Sequence, residues 1–334
     1  MMILLFGSFS KKMKIFAVLL SLALPLLARG SEPFDTVRFE ISPGGKIYID
    51  VCINQDTVPF RFMLDTGSSD NVANSHSERA LKALKGGVEG ASTIGATGES
   101  QTRVTGFNQS LHLDSTEFTG VRFVLIPLDE DIDGIVGWNT LTGVDFFVDF
   151  DSQNIFLYSP GELEIEDESL WRPIQFMPNG LAAVELDFVW CGQKKHEWFF
   201  LDSGSDRVLD FFTPYLESNN MADNQKPWGK SRIAGLEPGK GIINEVIVDE
   251  LTIGPYTLFQ IPSGLNLSSS GIAATDYAAG TLGNNLMQRF NQAWSFANRK
   301  VAFTPNRRLY STPYSVTQAL GGNRVTLRSS ENKK

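Results

Sequence analysis

The chain predicts a mainly β protein built from two similar halves, and three observations carry that prediction. An apolar run that stops on an acid, a small hydroxyl residue and a glycine occurs twice, as Phe62-Met63-Leu64-Asp65-Thr66-Gly67-Ser68-Ser69 and, 137 residues later, as Phe199-Phe200-Leu201-Asp202-Ser203-Gly204-Ser205-Asp206. A short apolar segment bracketed by glycines also occurs twice, Gly134-Ile135-Val136-Gly137 and Gly280-Thr281-Leu282-Gly283, at an offset of 146. Elsewhere, short apolar stretches alternate with glycine- and proline-containing turns, and helical periodicity is scarce. Two repeats are too few for a solenoid, so a paired, pseudo-twofold body is expected.

Composition narrows the function. A chain of 334 residues can hold two cores or one large two-part body. A net charge of -9 argues against nucleic acid as a main partner, because phosphate binding needs concentrated Lys and Arg. Lys11, Lys12 and Lys14 precede an uncharged apolar run from Ile15 to Leu27 that ends at Ala28-Arg29-Gly30. A basic start, a run too short for a span of about 20 residues and a small-residue end predict a signal peptide over 1–30. Met13 offers a second possible start, and an uncleaved anchor is the alternative reading. The expectation is an exported chain, periplasmic or secreted, with no stable membrane span after signal removal. Only Cys52 and Cys191 are present, which excludes a disulfide scaffold or a cysteine zinc site. Nothing in the sequence brings the two together, so their pairing stays open.

In chain order, Val37 to Ile41 alternates as a first strand and Ser42-Pro43-Gly44-Gly45 reads as a turn. Ile47 to Ile53 is the next strand, Asn54-Gln55-Asp56 its turn, and Val58 to Leu64 the strand that delivers Asp65. The second half repeats this order, with Leu181 to Val189, a turn at Cys191 to Lys195, and Glu197 to Leu201 delivering Asp202. Behind each glycine segment lies a strand, a polar turn and a strand, in Phe146 to Leu157 and in Gln292 to Phe303. Short helices are expected over 77–84, 213–219 and 284–290. The acidic run Glu162 to Glu168 reads as a solvated linker between halves. From Arg307 onward six basic residues face one acid without apolar periodicity, a flexible tail.

The duplicated Asp-Thr/Ser-Gly triplets, each after an apolar strand and each followed by its glycine segment, resemble the aspartic proteases. The two-copy order resembles the pepsin-type enzymes, and Leu201 to Leu209 also resembles the retroviral type. The likeness spans roughly residues 45–305. It implies a bilobal acid-protease fold: an N-terminal lobe over 31–165, a C-terminal lobe over 166–306, a cleft between them and a basic tail over 307–334. It also implies Asp65 and Asp202 as the catalytic pair. Two nearby carboxylates cannot both ionise easily, so they share a proton, and one serves as base on a water while the other polarises the scissile carbonyl. Thr66 and Ser203 would tie the two loops together, and Ser68 and Ser205 would bond an outer carboxylate oxygen. Gly67 and Gly204 would allow close approach and unusual dihedrals.

The chain departs from the pepsin pattern in its lid. No tyrosine occurs between Tyr48 and Tyr158, and the expected flap is the glycine-rich stretch around Gly95, Ala96, Thr97 and Gly98. Ala234 to Gly241 holds the matching place in the second half, and the short stretch from Ser31 to Lys46 leaves no room for a pepsin-like prosegment. Other chemistries fit poorly. His76, His112 and His196 are scattered without ligand spacing, and Asp129, Glu130, Asp131 and Asp133 lack EF-hand spacing. No serine-hydrolase elbow or phosphate loop is present. The sequence therefore predicts an aspartic endopeptidase, a monomer without metal or organic cofactor, acting on peptide or unfolded protein. The alternative is a non-catalytic peptide- or protein-binding protein that kept the fold.

Overall fold

The computed structural model describes residues 32–309 apart from 43, 97, 129–130 and 234–240. The expected signal segment, most of the basic tail and the stretch Ala234 to Lys240 lie outside the described residues. The chain is mainly β, and its strands follow from alternation. In Ile47–Ile53, Ile47, Ile49, Val51 and Ile53 are buried while Asp50 is exposed. In Ala182–Trp190, Val184, Leu186, Phe188 and Trp190 face the core while Glu185 and Asp187 face water. A period of two on a pleated strand puts one set on each face.

The halves share one topology. Ile47–Ile53 runs antiparallel to Phe60–Asp65, which runs parallel to Gly134–Gly137, with Phe62 opposite Gly134 and Asp65 opposite Gly137. Likewise Ala182–Trp190 runs antiparallel to Gln193–Asp202, which runs parallel to Gly280–Gly283, with Phe199 opposite Gly280 and Asp202 opposite Gly283. Each glycine strand is flanked on its other side by a short antiparallel strand, Asn71–Asn74 or Leu209–Phe211. Glycine is needed there for space. A Cβ on Gly134 would come within 2.2 Å of the Val72 carbonyl oxygen, and one on Gly280 within 1.9 Å of that of Asp210.

What joins the halves is a shared set of six strands. Asp35–Ile41 pairs with Asn154–Tyr158, which pairs with Asp145–Asp149. In the second half Trp171–Phe176 pairs with Lys300–Pro305, which pairs with Phe290–Ser295. The two triplets meet where Asp145 lies opposite Ser295 and Val148 opposite Gln292. Phe146 stacks on Trp294 across that seam, with ring centroids 5.8 Å apart. Burial of such large rings is a main source of core stability.

Several expectations need correction. The hairpin expected to turn over Cys191 to Lys195 closes in two residues, Cys191 and Gly192, both at positive φ (49° and 76°), so Trp190 pairs directly with Gln193. The helix expected to reach Phe290 ends at Met287, because Phe290 already begins a sheet strand. Helices do form at Glu78–Ala83, where the Ser77 hydroxyl accepts the Ala80 N–H at 3.2 Å, and at Thr213–Ser218. The acidic run from Glu162 is not a fully solvated linker. Leu163 and Ile165 are buried with Tyr158, Leu170 and Trp171, and only the intervening acids face water. Cys52 and Cys191 are free thiols.

Candidate active site

Asp65 and Asp202 end equivalent strands, and the turns that follow them meet. The Thr66 N–H donates to Ser203 Oγ at 2.9 Å, and the Ser203 N–H donates to Thr66 Oγ1 at 3.0 Å. The two hydroxyls donate in turn to the Leu201 and Leu64 carbonyl oxygens, at 2.8 and 2.9 Å. Four bonds between buried groups thus lock the residues just after the two aspartates across the junction of the halves.

Each carboxylate rests against the other half's glycine. A Cβ on Gly204 would lie 2.5 Å from Asp65 Cγ, and one on Gly67 would lie 2.5 Å from Asp202 Cγ. Neither glycine is at positive φ. The expectation of unusual dihedrals is therefore not met there, and the need for glycine is one of space. Backbone donors hold the carboxylates: Asp65 Oδ1 accepts from Gly67 at 2.8 Å and Gly204 at 3.2 Å, and Asp202 Oδ1 accepts from Ser205 at 2.9 Å.

Ser68 and Ser205 act differently from expectation. The Ser68 hydroxyl donates to the Asp70 carbonyl oxygen at 2.8 Å, and the Ser205 hydroxyl accepts the Arg207 N–H at 3.2 Å. It is the backbone of Ser205, not its side chain, that reaches Asp202. Both hydroxyls shape the descent from the active turn instead. Below each turn an ion pair anchors the chain: Arg122 binds Asp70 at 2.9 and 3.0 Å, and Arg207 bridges Asp210 and Glu245, both at 2.9 Å.

The pair's electrostatics follow from this crowding. Burial raises the Asp202 carboxyl well above the usual carboxylate range, and the charge of Asp65 beside it raises it further. Burial also raises Asp65, against the pull of the Gly67 N–H, a hydrogen bond with Asp202, the Gly204 N–H and nearby Lys46. The two titrate as one unit, and that unit keeps a proton at a pH where isolated carboxylates have lost theirs.

At the expected lid, Val88–Ile94 and Glu99–Thr105 form a regular hairpin, with Val88 opposite Thr105 and Ile94 opposite Glu99. The Gly95 N–H donates to the Gly98 carbonyl oxygen at 2.8 Å, both glycines are buried and Ala96 is half-buried. Thr97 lies outside the described residues. The tip reaches the second half, where the Ile272 N–H donates to the Gly95 carbonyl oxygen at 3.0 Å. A cavity of about 460 Å³ lined by Glu197, Trp198, Tyr215 and Tyr277 is separate from this region and includes neither carboxylate. Asp133 is committed to structure, accepting from the Arg61 N–H and the Ser77 hydroxyl. Among the described residues no His, Cys, Asp and Glu cluster is arranged to hold a metal ion.

Lys46, Leu181 and Arg207 were not singled out from sequence. Lys46 lies 19 residues before Asp65 and Leu181 lies 21 before Asp202, so aligning the repeats does not pair them, and only the strand register does.

A family model described as aspartyl protease matches residues 49–140. The match spans the first aspartate turn, the hairpin and the first glycine strand, and stops before the second copy. It supports an aspartic protease family and, with it, peptidase activity in general. A search of curated proteins found no match.

Proposed function

We propose that the chain is an exported aspartic endopeptidase with a two-lobed, pepsin-like body, its lobes over 31–165 and 166–306, acting as a monomer. The reading rests on one observation. Asp65 and Asp202 end equivalent strands, each against the other half's glycine, and the Thr66 and Ser203 beside them are cross-bonded.

The chemistry follows from a shared proton. A water held between the carboxylates gives a proton to the ionised member as its oxygen bonds to the scissile carbonyl carbon. The protonated member gives its proton to the carbonyl oxygen. Collapse of the tetrahedral intermediate reforms the carbonyl, breaks the C–N bond and passes a proton to the leaving amine. The substrate is a peptide held extended under the hairpin over 88–105, largely through backbone hydrogen bonds, without metal or organic cofactor.

The test is a digest of unfolded protein from pH 3 to 8 by wild type, Asp65→Asn and Asp202→Asn. Wild type should cleave best at acid pH, and each variant should lose about 10²–10⁴-fold or more. Cleavage that survives either substitution overturns the mechanism. A second reading, a peptide-binding protein without catalysis, draws on the lack of any tyrosine in the hairpin and on its closed tip at Ile272. Retained peptide binding without cleavage by wild type would favour it.

A further inference from the structure

The halves match closely around the two carboxylates and differ at one position beside each. Ile47 pairs with Leu64, and the same antiparallel register carried one residue further puts Lys46 opposite Asp65. In the second half Ala183 pairs with Phe200, and the same antiparallel register carried two residues further puts Leu181 opposite Asp202. Residues directly opposite on an antiparallel pair send their side chains to the same face, within reach of each other. Asp65 therefore has an ammonium for its strand neighbour, where Asp202 has an aliphatic side chain buried to 7% exposure.

The turn that carries Lys46 is firmly held. The Lys46 N–H donates to Ser42 Oγ at 3.0 Å, its carbonyl accepts the Ser42 N–H at 2.9 Å, and the Asn284 amide of the other half donates to the Gly45 carbonyl oxygen. The remaining charges nearby do not reproduce its effect. Asp206 is exposed, and its side chain lies beside Gly44 on the turn that carries Lys46. Arg207 is engaged by Asp210 and Glu245, and Glu99 of the hairpin is exposed and accepts from Ser92. The glycine strands behind the carboxylates hold no ionisable side chain.

We infer that Lys46 is a positioning residue for the shared proton: it keeps Asp65 the ionised member and leaves the proton on Asp202. Asp65 then takes the water's proton, and Asp202 donates to the carbonyl oxygen. The directions agree: burial raises both carboxyls, and the charge of Asp65 raises Asp202 further, while the Gly67 N–H, the Asp202 hydrogen bond, the Gly204 N–H and, in the smallest part, the Lys46 charge lower Asp65. The assignment rests on the peptidase reading for its effect on rate, and on the pair alone for its effect on titration.

The test compares wild type, Lys46→Met and Lys46→Arg. Initial cleavage of reduced, alkylated albumin is measured across pH, and melting temperature is followed over the same range by calorimetry. In Lys46→Met both limbs of the rate profile should move up by about 0.5–1 pH unit, because a carboxylate that loses a neighbouring cation holds its proton longer. The pH at which the melting temperature stops falling should move up alongside, because the folded pair holds its proton longer, and Lys46→Arg should restore both curves. Rates that drop evenly at every pH, or a melting curve that stays in place, overturn the assignment. If wild type cleaves nothing yet the melting curve moves as described, the peptidase reading fails and the role of Lys46 stands.

Discussion

Thr66 and Ser203 each donate a backbone N–H to the other's hydroxyl, at 2.9 and 3.0 Å, and are only 3% and 2% exposed. The same hydroxyls donate to Leu201 and Leu64, the residues just before the opposite aspartates. The spacing of the two carboxylates is thus set by the polypeptide rather than by their own repulsion.

Thr66→Val keeps the shape and deletes the hydroxyl, leaving the Ser203 N–H and the Leu201 carbonyl without their partner. Each buried orphan costs about 1–3 kcal/mol, so a loss of about 2–4 kcal/mol is expected in urea unfolding. Thr66→Ser, which retains both bonds, should stay within about 1 kcal/mol. Equal stability of the valine variant and wild type would show that the cross-bonds are dispensable.

Gly204→Ala tests the contact with Asp65. Its Cβ would fall 2.5 Å from Asp65 Cγ, so the carboxylate must move. If the proposed peptidase reading holds, activity should fall at least about 100-fold, the scale of a misplaced catalytic group, with a stability loss of about 1–3 kcal/mol from overpacking. An alanine variant with wild-type kcat would mean the turn has slack that this packing denies.

Asp202→Asn should change how stability depends on pH. The folded pair holds its proton above the unfolded carboxylate pKa of about 3.9, so between that value and the folded pKa the native state binds more protons than the unfolded state. The pair's contribution therefore falls as pH rises through that window and levels off above it. Removing one carboxylate removes the repulsion, so the variant should match wild type near pH 3 and melt higher than wild type at pH 7. Calorimetry at pH 3, 5 and 7 reads this directly, and a variant that melts lower at pH 7 would contradict it.

Much of the site is local in sequence. Asp65 and Asp202 are recognisable because each closes an apolar strand and each has its own glycine strand downstream. The hydroxyls of Ser68 and Ser205 bond elsewhere than the family likeness implies, because a turn's path decides whether Oγ or N–H points at the carboxylate, and the sequence pattern does not carry that path. Leu163 and Ile165 were hidden inside an acidic run, although their spacing of two is a strand-like signal. The contrast of Lys46 with Leu181 appears only when strand register is known.

Alternation, the repeated triplets and their glycine segments were enough for a mainly β chain of two like halves with one acid in each. They are local patterns, and a pleated strand or a tight turn imposes them on neighbouring residues. The meeting of Asp145 with Ser295, the bonds between Thr66 and Ser203, and the placement of each carboxylate against the opposite glycine belong to the tertiary structure. Those contacts join residues more than a hundred positions apart. They form only once both cores have closed the intervening chain, so no local pattern encodes them.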